Sequence, residues 1–304
     1  MWGVRHGRTK DSYGHRILGE RRAIPAMLEL FASNGIHATW ATVGFAMCEG
    51  KEDLLARAPE ERPTYLAPEC SNYSYLDEVG DSEKVDPYYF APSMLRLVAS
   101  CPGQEIASHT FSHYYCLEAG QTPDQFRADL AASARILQDF GAECASIVFP
   151  RNQYSSAYLA ICREHGVSVF RGNEAAWCYE PGNGEEQTPA RRLVRLVDSY
   201  LPLTGDHLTR PELLSGMINV PSSRFLRPYS RRTAPLDGLR LARIRAAMTE
   251  AAKSGRVFHL WWHPHNFGGD IEENMAFLSR IVSHYRMLAD RYGMASKGMA
   301  EAAA

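Results

Sequence analysis

The chain has 304 residues, 45% of them hydrophobic and 22% charged, an ordinary globular composition with room for one large domain or two small ones. Thirty-three basic residues against thirty-five acidic leave a formal charge of −2, which argues against nucleic acid as a partner. No apolar run approaches the roughly 18 residues that cross a bilayer, and the opening Met1-Trp2-Gly3-Val4-Arg5-His6 has no secretory apolar core, so no membrane partner is expected. Seven scattered cysteines without a Cys-x-x-Cys pair fit reduced thiols in the cytoplasm better than a disulfide framework or a zinc knuckle.

Along the chain, short apolar strands alternate with longer helical stretches. Ile24, Met27, Leu28 and Phe31 fall on one face of a helix over Arg22 to Asn34, with Pro25 in its first turn and Gly35 at its stop. Ile36 to Val43, rich in β-branched residues, follows as a strand. Glu49 to Asp86, crowded with acids, Pro, Asn and Tyr, reads as the body of an irregular insertion at about 49–90. Glu105 to Ser108 is the next strand, followed by His109 to Tyr115 and a helix opened by Thr122-Pro123-Asp124. Ser146 to Phe149 precedes a helix from Ser155 to His165, and Val167 to Phe170 is a further strand. Pro221 to Arg256 carries an excess of basic side chains, those from Arg240 to Arg245 expected on a solvated helix face. Val257 to Trp262 is the last strand and Ile271 to Tyr292 the closing helix. This alternation favours a parallel sheet or barrel in a single domain over residues 1–293, with a flexible tail at 294–304.

The sharpest chemical feature is His109-Thr110-Phe111-Ser112-His113. If the segment turns helically, histidines at i and i+4 share a face and can hold one metal ion between them. The spacing alone is weakly specific: 11 histidines among 304 positions produce about 0.4 such pairs by chance. Other strand ends add to it. His263, after Leu260-Trp261-Trp262, sits where an imidazole could protonate a leaving group. Arg151, in Phe149-Pro150-Arg151-Asn152-Gln153-Tyr154, could orient a carboxylate or bind an anion. Arg171-Gly172-Asn173-Glu174-Ala175-Ala176-Trp177 ends a third strand in the same manner. Polar groups delivered by four strands to one edge are what a rim active site requires. Arg224 and Arg227, among Ser222, Ser223, Phe225 and Tyr229, could grip an anionic or sugar-containing substrate. No glycine-rich phosphate loop and no Gly-x-Ser-x-Gly elbow is present.

This ordered set resembles the polysaccharide deacetylase family, the NodB-homology group. Gly35-Ile36-His37-Ala38-Thr39-Trp40-Ala41-Thr42-Val43-Gly44 is similar to its second strand, and Ser108 to His113 to its metal-binding motif. Arg151 to Tyr154 looks like the next motif, Glu174 to Trp177 like a divergent fourth, and Leu260 to His263 like the last. The resemblance implies an α/β fold, a distorted (β/α) barrel with fewer than eight strands. It also implies a divalent metal, commonly zinc, and hydrolysis of a non-peptide C–N bond, foremost N-deacetylation of an amino-sugar or polysaccharide. In that scheme His109 and His113 hold the metal, and His263 protonates the departing amine. Arg151 orients an acidic partner, with Glu174 as a third catalytic group. Tyr154, Trp177, Leu260, Trp261, Trp262, Arg224 and Arg227 contact the substrate.

One element of the family pattern is missing. Its first motif, an acidic strand end ahead of the helix at Arg22 to Asn34, has no counterpart, and Met1-Trp2-Gly3 looks like the stretch just after it. Asp11, the only acid in the first nineteen positions, lies in a polar Lys-Asp-Ser-Tyr context. A start assigned too late, which leaves the first strand out, is expected over a product with impaired chemistry. The reason is that a sheet deprived of a strand keeps unpaired backbone groups, each costing about 1–3 kcal/mol if buried. Two other functions fit the same residues: an amidohydrolase of a small ureide or cyclic amide, and a catalytically impaired carbohydrate-binding relative.

Overall fold

A computed structural model of the chain describes residues 1–183 and 186–304. Eight short strands set its frame: β1 Ala38–Thr42, β2 Gln104–Ser108, β3 Ser146–Ile147, β4 Val169–Phe170, β5 Glu212–Leu214, β6 Met217–Asn219, β7 Arg224–Phe225 and β8 Leu260–Trp261. Six of them form a sheet in the order β1-β2-β3-β4-β6-β5, parallel except for the β5–β6 hairpin, while β7 and β8 form a parallel pair. Residues 217–225 join the two sheets. The N–H of Val220 donates to Phe170 O and that of Ser222 to Gly172 O, and then Ser223 and Arg224 donate to His259 O. The result is an α/β fold with a central mixed sheet flanked by helices.

The first helix runs over Lys10–Ala32, twelve residues earlier than the apolar periodicity suggests. Thr9 caps it, its hydroxyl accepting from the Ser12 N–H at 3.2 Å while the Ser12 hydroxyl accepts from the Thr9 N–H at 3.0 Å. Its early buried face consists of Ile17 flanked by Gly14 and Gly19, and hydropathy patterns overlook the two glycines. Pro25 therefore lies inside the helix rather than in its first turn. The helices Pro123–Gln138 and Ser156–Glu164 carry the chain from β2 to β3 and from β3 to β4, as the crossover pattern requires. Met27 and Phe31 of the first helix pack with Leu278 and Ile281 of the helix Ile271–Tyr292 in one apolar cluster. The β5–β6 hairpin was not expected; its turn, Ser215-Gly216, holds both residues at positive φ (49° and 79°), a Ser-Gly signal that the sequence does carry.

The helix Asp237–Ser254 overturns the solvated-face expectation for its arginines. Arg240 and Arg243 are 3% and 7% exposed. Arg240 donates to Arg227 O at 2.6 Å and lies 4.1 Å from the centre of the Phe277 ring. Arg243 donates to Gly205 O at 3.0 Å and meets Asp198 at 3.2 Å. Asp198 is fully buried and also faces Arg224 at 3.6 Å. A buried carboxylate needs such cations, and it turns them inward. Residues 294–304, expected as a frayed tail, include a helix at Met299–Ala303. Met299 is buried there, and its N–H donates to Thr39 Oγ1 at 2.7 Å.

Candidate functional site

The loop after β2 is shaped by buried polar groups, not by a helix. Thr110 and His113 both adopt φ of 62°, so the i, i+4 histidines meet across a tight turn with two left-handed residues. Asp129, on the buried face of the helix Pro123–Gln138, accepts from the Phe111 N–H at 2.7 Å, from the Ser112 N–H at 3.0 Å and from the Ser112 hydroxyl. Thr110 Oγ1 accepts from the Tyr114 N–H at 2.7 Å, and the Asn72 amide donates to Ser112 O at 2.9 Å. Burial raises the Asp129 carboxyl to about 6, against the pull of those donors.

Held this way, the rings of His109 and His113 lie 4.9 Å apart, centre to centre. His109 Nδ1 is 2.6 Å from Val148 O, so that nitrogen carries the proton and Nε2 faces outward. His113 is 5% exposed and its Nδ1 has no hydrogen-bond partner. Burial pushes His109 down to about 3 and His113 well below the ordinary range, and the charge of His263 acts in the same direction on both. His263 is itself lowered to about 4 by its enclosing surroundings and by Arg171, although its edge opens onto the cavity. It stacks on His265, the ring centres 5.1 Å apart and the planes within 7°. The three imidazoles therefore gather at one end of a cavity of about 850 Å³, with Arg171, His259 and His265 on the same lining. Met1 borders it too; its amine donates to Tyr88 O at 2.6 Å and burial lowers it to about 6.

The other expected residues divide into four places. Arg151, Glu174, Arg224, Arg227 and Trp261 line a second, polar cavity of about 390 Å³. There Glu174 is 5% exposed, raised by burial, and its carboxylate lies 3.5 Å from Trp261 Nε1. Arg151 is already paired, to Glu118 at 2.7 Å, and its guanidinium lies 4.0 Å from the centre of the Tyr115 ring. Leu260 and Trp262 point the opposite way from Trp261, as neighbours on a strand must. They pack against the apolar cluster under the helices, where Trp262 stacks on Phe267 at 5.9 Å, and all three residues of the trio also line the larger cavity with the histidines. Only Trp261 of that trio faces the polar side. Tyr154 packs between Phe149 and Phe170 in a separate cluster, and Trp177 lies 54% exposed outside both cavities.

Two groups escaped the sequence reading as site residues. Arg171, at the end of β4, lies 4.2 Å from the centre of the Trp261 ring and donates to Asn152 Oδ1 at 2.7 Å. Its place right after an apolar strand was visible in the sequence. Asp129 was signalled more faintly: with Ser133 it is a polar residue four positions apart on an otherwise apolar helix stripe.

The sequence profile of the polysaccharide deacetylases matches residues 18–170, half of the chain. The chain belongs to the polysaccharide deacetylase family. No curated protein matches it. Among solved structures it is similar to a Mycobacterium smegmatis protein assigned as a polysaccharide deacetylase. The identity is 15% and the TM-score 0.57, over 95% of this chain and 78% of that one. It is also similar to a GH57-type branching enzyme from the archaeon Pyrococcus horikoshii. Here the identity is 12% and the TM-score 0.52, over 97% of this chain and 66% of that one. At such identities these likenesses speak for the fold alone.

The family implies a divalent metal, and the residues present meet only part of that demand. His109 Nε2 and His113 converge, but a catalytic zinc takes three protein ligands. Among the described residues no group of three or more His, Cys, Asp or Glu side chains could hold a metal ion. The pair does not by itself fit the group. No helix of the described chain is long and apolar enough to cross a membrane.

Proposed function

We propose that this polypeptide is a carbohydrate-binding relative of the polysaccharide deacetylases, a single distorted (β/α) barrel over residues 1–293 whose hydrolytic centre is incomplete in these residues. The observation that carries the reading is the pair of histidines, which among the described residues belongs to no group of three or more metal-ligating side chains. The saccharide site is the polar cavity at Trp261. Charged and hydrogen-bonding side chains beside an aromatic one suit a sugar ring, and Glu174, Arg151, Arg224 and Arg227 line this cavity together with Trp261. Arg151 and Glu174 then act as binding groups rather than in proton transfer.

Calorimetric titration with N-acetylglucosamine oligomers, alongside an assay for released amine with zinc added, tests this. Saturable binding, weakened about tenfold or more by Trp261→Ala, with no amine above the blank, is the expected result. Release of amine would return the chain to the metal-dependent hydrolases, with His263 as proton donor. Failure to bind any acetylated oligomer would remove the carbohydrate reading.

A further inference from the structure

The polar cavity holds more positive charge than its carboxylates balance. Among the described residues its lining carries five arginines, Arg151, Arg192, Arg195, Arg224 and Arg227, against two acids, Glu174 and Glu180. Pairing leaves most of that excess in place. Glu118 meets Arg151 at 2.7 Å, and Glu180 lies 3.7 Å from Arg191, which is outside the lining. Buried Asp198 is divided between two guanidinium groups, Arg243 at 3.2 Å and Arg224 at 3.6 Å. Arg224 is 4% exposed, and its Nε and Nη2 have no hydrogen-bond partner among the described residues. Arg192, Arg195 and Arg227 make no ion pair among the described residues. The first two stand three positions apart on the helix Pro189–Asp198 and so share a face. Burial lowers the titration of Arg195, and the charge of Arg192 acts in the same direction. Arg227 is fixed from behind by Arg240, which donates to its carbonyl.

We propose that the saccharide bound in this cavity is acidic, a uronic acid whose carboxylate lies among Arg195, Arg224 and Arg227 while its ring lies beside Trp261. The inference rests on the saccharide reading and names the class of sugar. A guanidinium group presents parallel N–H donors that match a carboxylate, and a pair of such bonds fixes direction as well as charge. In a uronic acid the carboxylate is attached directly to the ring, so one sugar brings anion and hydroxyls together. That compactness suits a cavity of about 390 Å³, near the lower end of the roughly 300–1,000 Å³ that small-molecule sites occupy. A neutral sugar leaves the guanidinium groups repelling one another in a partly buried place, and a carboxylate supplies their counter-charge. Burial raises the carboxyl of Glu174, which lessens its repulsion of the anion.

The test titrates the intact protein, by calorimetry at low salt, with a tetrasaccharide of alternating glucuronate and N-acetylglucosamine. The same tetrasaccharide with its carboxylates methyl-esterified and the N-acetylglucosamine tetramer serve as neutral counterparts. The acid is expected to bind about tenfold or more tighter than either. That gap should shrink in salt of about 0.5 M, and it should close in the variant carrying both Arg195→Gln and Arg227→Gln. Equal affinity for acid and ester overturns the proposal and leaves the saccharide reading standing; this comparison needs no variant to fold. A preference for the acid that survives both substitutions also overturns it, since the charge is then met elsewhere. An oligoglutamate of equal charge that competes as well as the acid would show charge recognised without sugar, and the proposal would fall with the saccharide reading. Binding of none of the three oligosaccharides removes both.

Discussion

Asp129 shows how one side chain prepares a site it does not line. It satisfies two buried peptide N–H groups and a hydroxyl in the turn that bends His113 back onto His109. Asp129→Asn keeps the shape but sets an amide N–H₂ against donors. Urea unfolding should record a loss of about 1–3 kcal/mol, and imidazole NMR signals of His109 and His113 should lose their mutual shift. Protonation gives a second expectation. Five cavity histidines, His109, His113, His259, His263 and His265, titrate below their ordinary value of 6.5 in the fold. Their stability contribution is complete above pH 6.5 and is lost as pH falls toward 4, because the unfolded chain binds protons first. Asp129 and Glu20, raised to about 6 and about 7, act oppositely, favouring the fold at low pH and losing that effect as pH rises through those values. Glu174, raised by burial, joins the two carboxyls and the lowered Met1 amine joins the histidines, so the lowered cations still outnumber the raised acids. Unfolding free energy measured in chelator should fall from pH 7 to pH 5, with net proton uptake on unfolding; a rise would contradict the lowered titration of these rings.

At the scale of elements, close approach decides what the sites look like. A Cβ on Gly44, just past β1, would stand 2.3 Å from the Phe111 ring and 2.9 Å from its Cα. Gly44→Ala therefore has to push the histidine turn. A loss of about 1–3 kcal/mol is expected, visible as a lower melting temperature and altered exchange at residues 109–113. Asp198 anchors the opposite side, where Arg224 and Arg243 converge on it. Asp198→Ala leaves two buried guanidinium groups uncompensated and should cost about 3–5 kcal/mol in denaturant unfolding, with loss of saccharide binding as Arg224 moves. The strands β1 to β4 and β8 and the helices Pro123–Gln138, Ser156–Glu164 and Ile271–Tyr292 were legible from apolar periodicity alone, whereas β5, β6 and β7 were not. The start of the first helix was not, since its early face is built from Gly14 and Gly19, whose burial comes from backbone packing and leaves no hydrophobic mark. The inward Arg243 of the helix Asp237–Ser254 was hidden for the converse reason: its acidic partner Asp198 lies 45 residues away in the chain.

For the whole molecule, the C-terminal residues tie the end of the chain back to β1, through Ser296 on His37 and Met299 on Thr39. Ending the chain at Gly293 removes both contacts and the burial of Met299, and about 1.5–3 kcal/mol of stability should go with that side chain alone. Calorimetric melting would register it, together with faster exchange in β1.

From residue order alone came the α/β class, five of the eight strands among the described residues, and the family membership that the histidine motif pointed to. Those properties are local: periodicity and short motifs express them within a few residues. Folding decided what depends on distance. It divided the expected residues between two cavities and placed Trp262 and Leu260 under helices while Trp261 faced the sugar-sized one. It brought His109 and His113 together through left-handed turn residues held by Asp129. It also joined the two sheets through residues 217–225, because hydrogen-bond partners across a sheet are chosen by topology and not by neighbours in the chain.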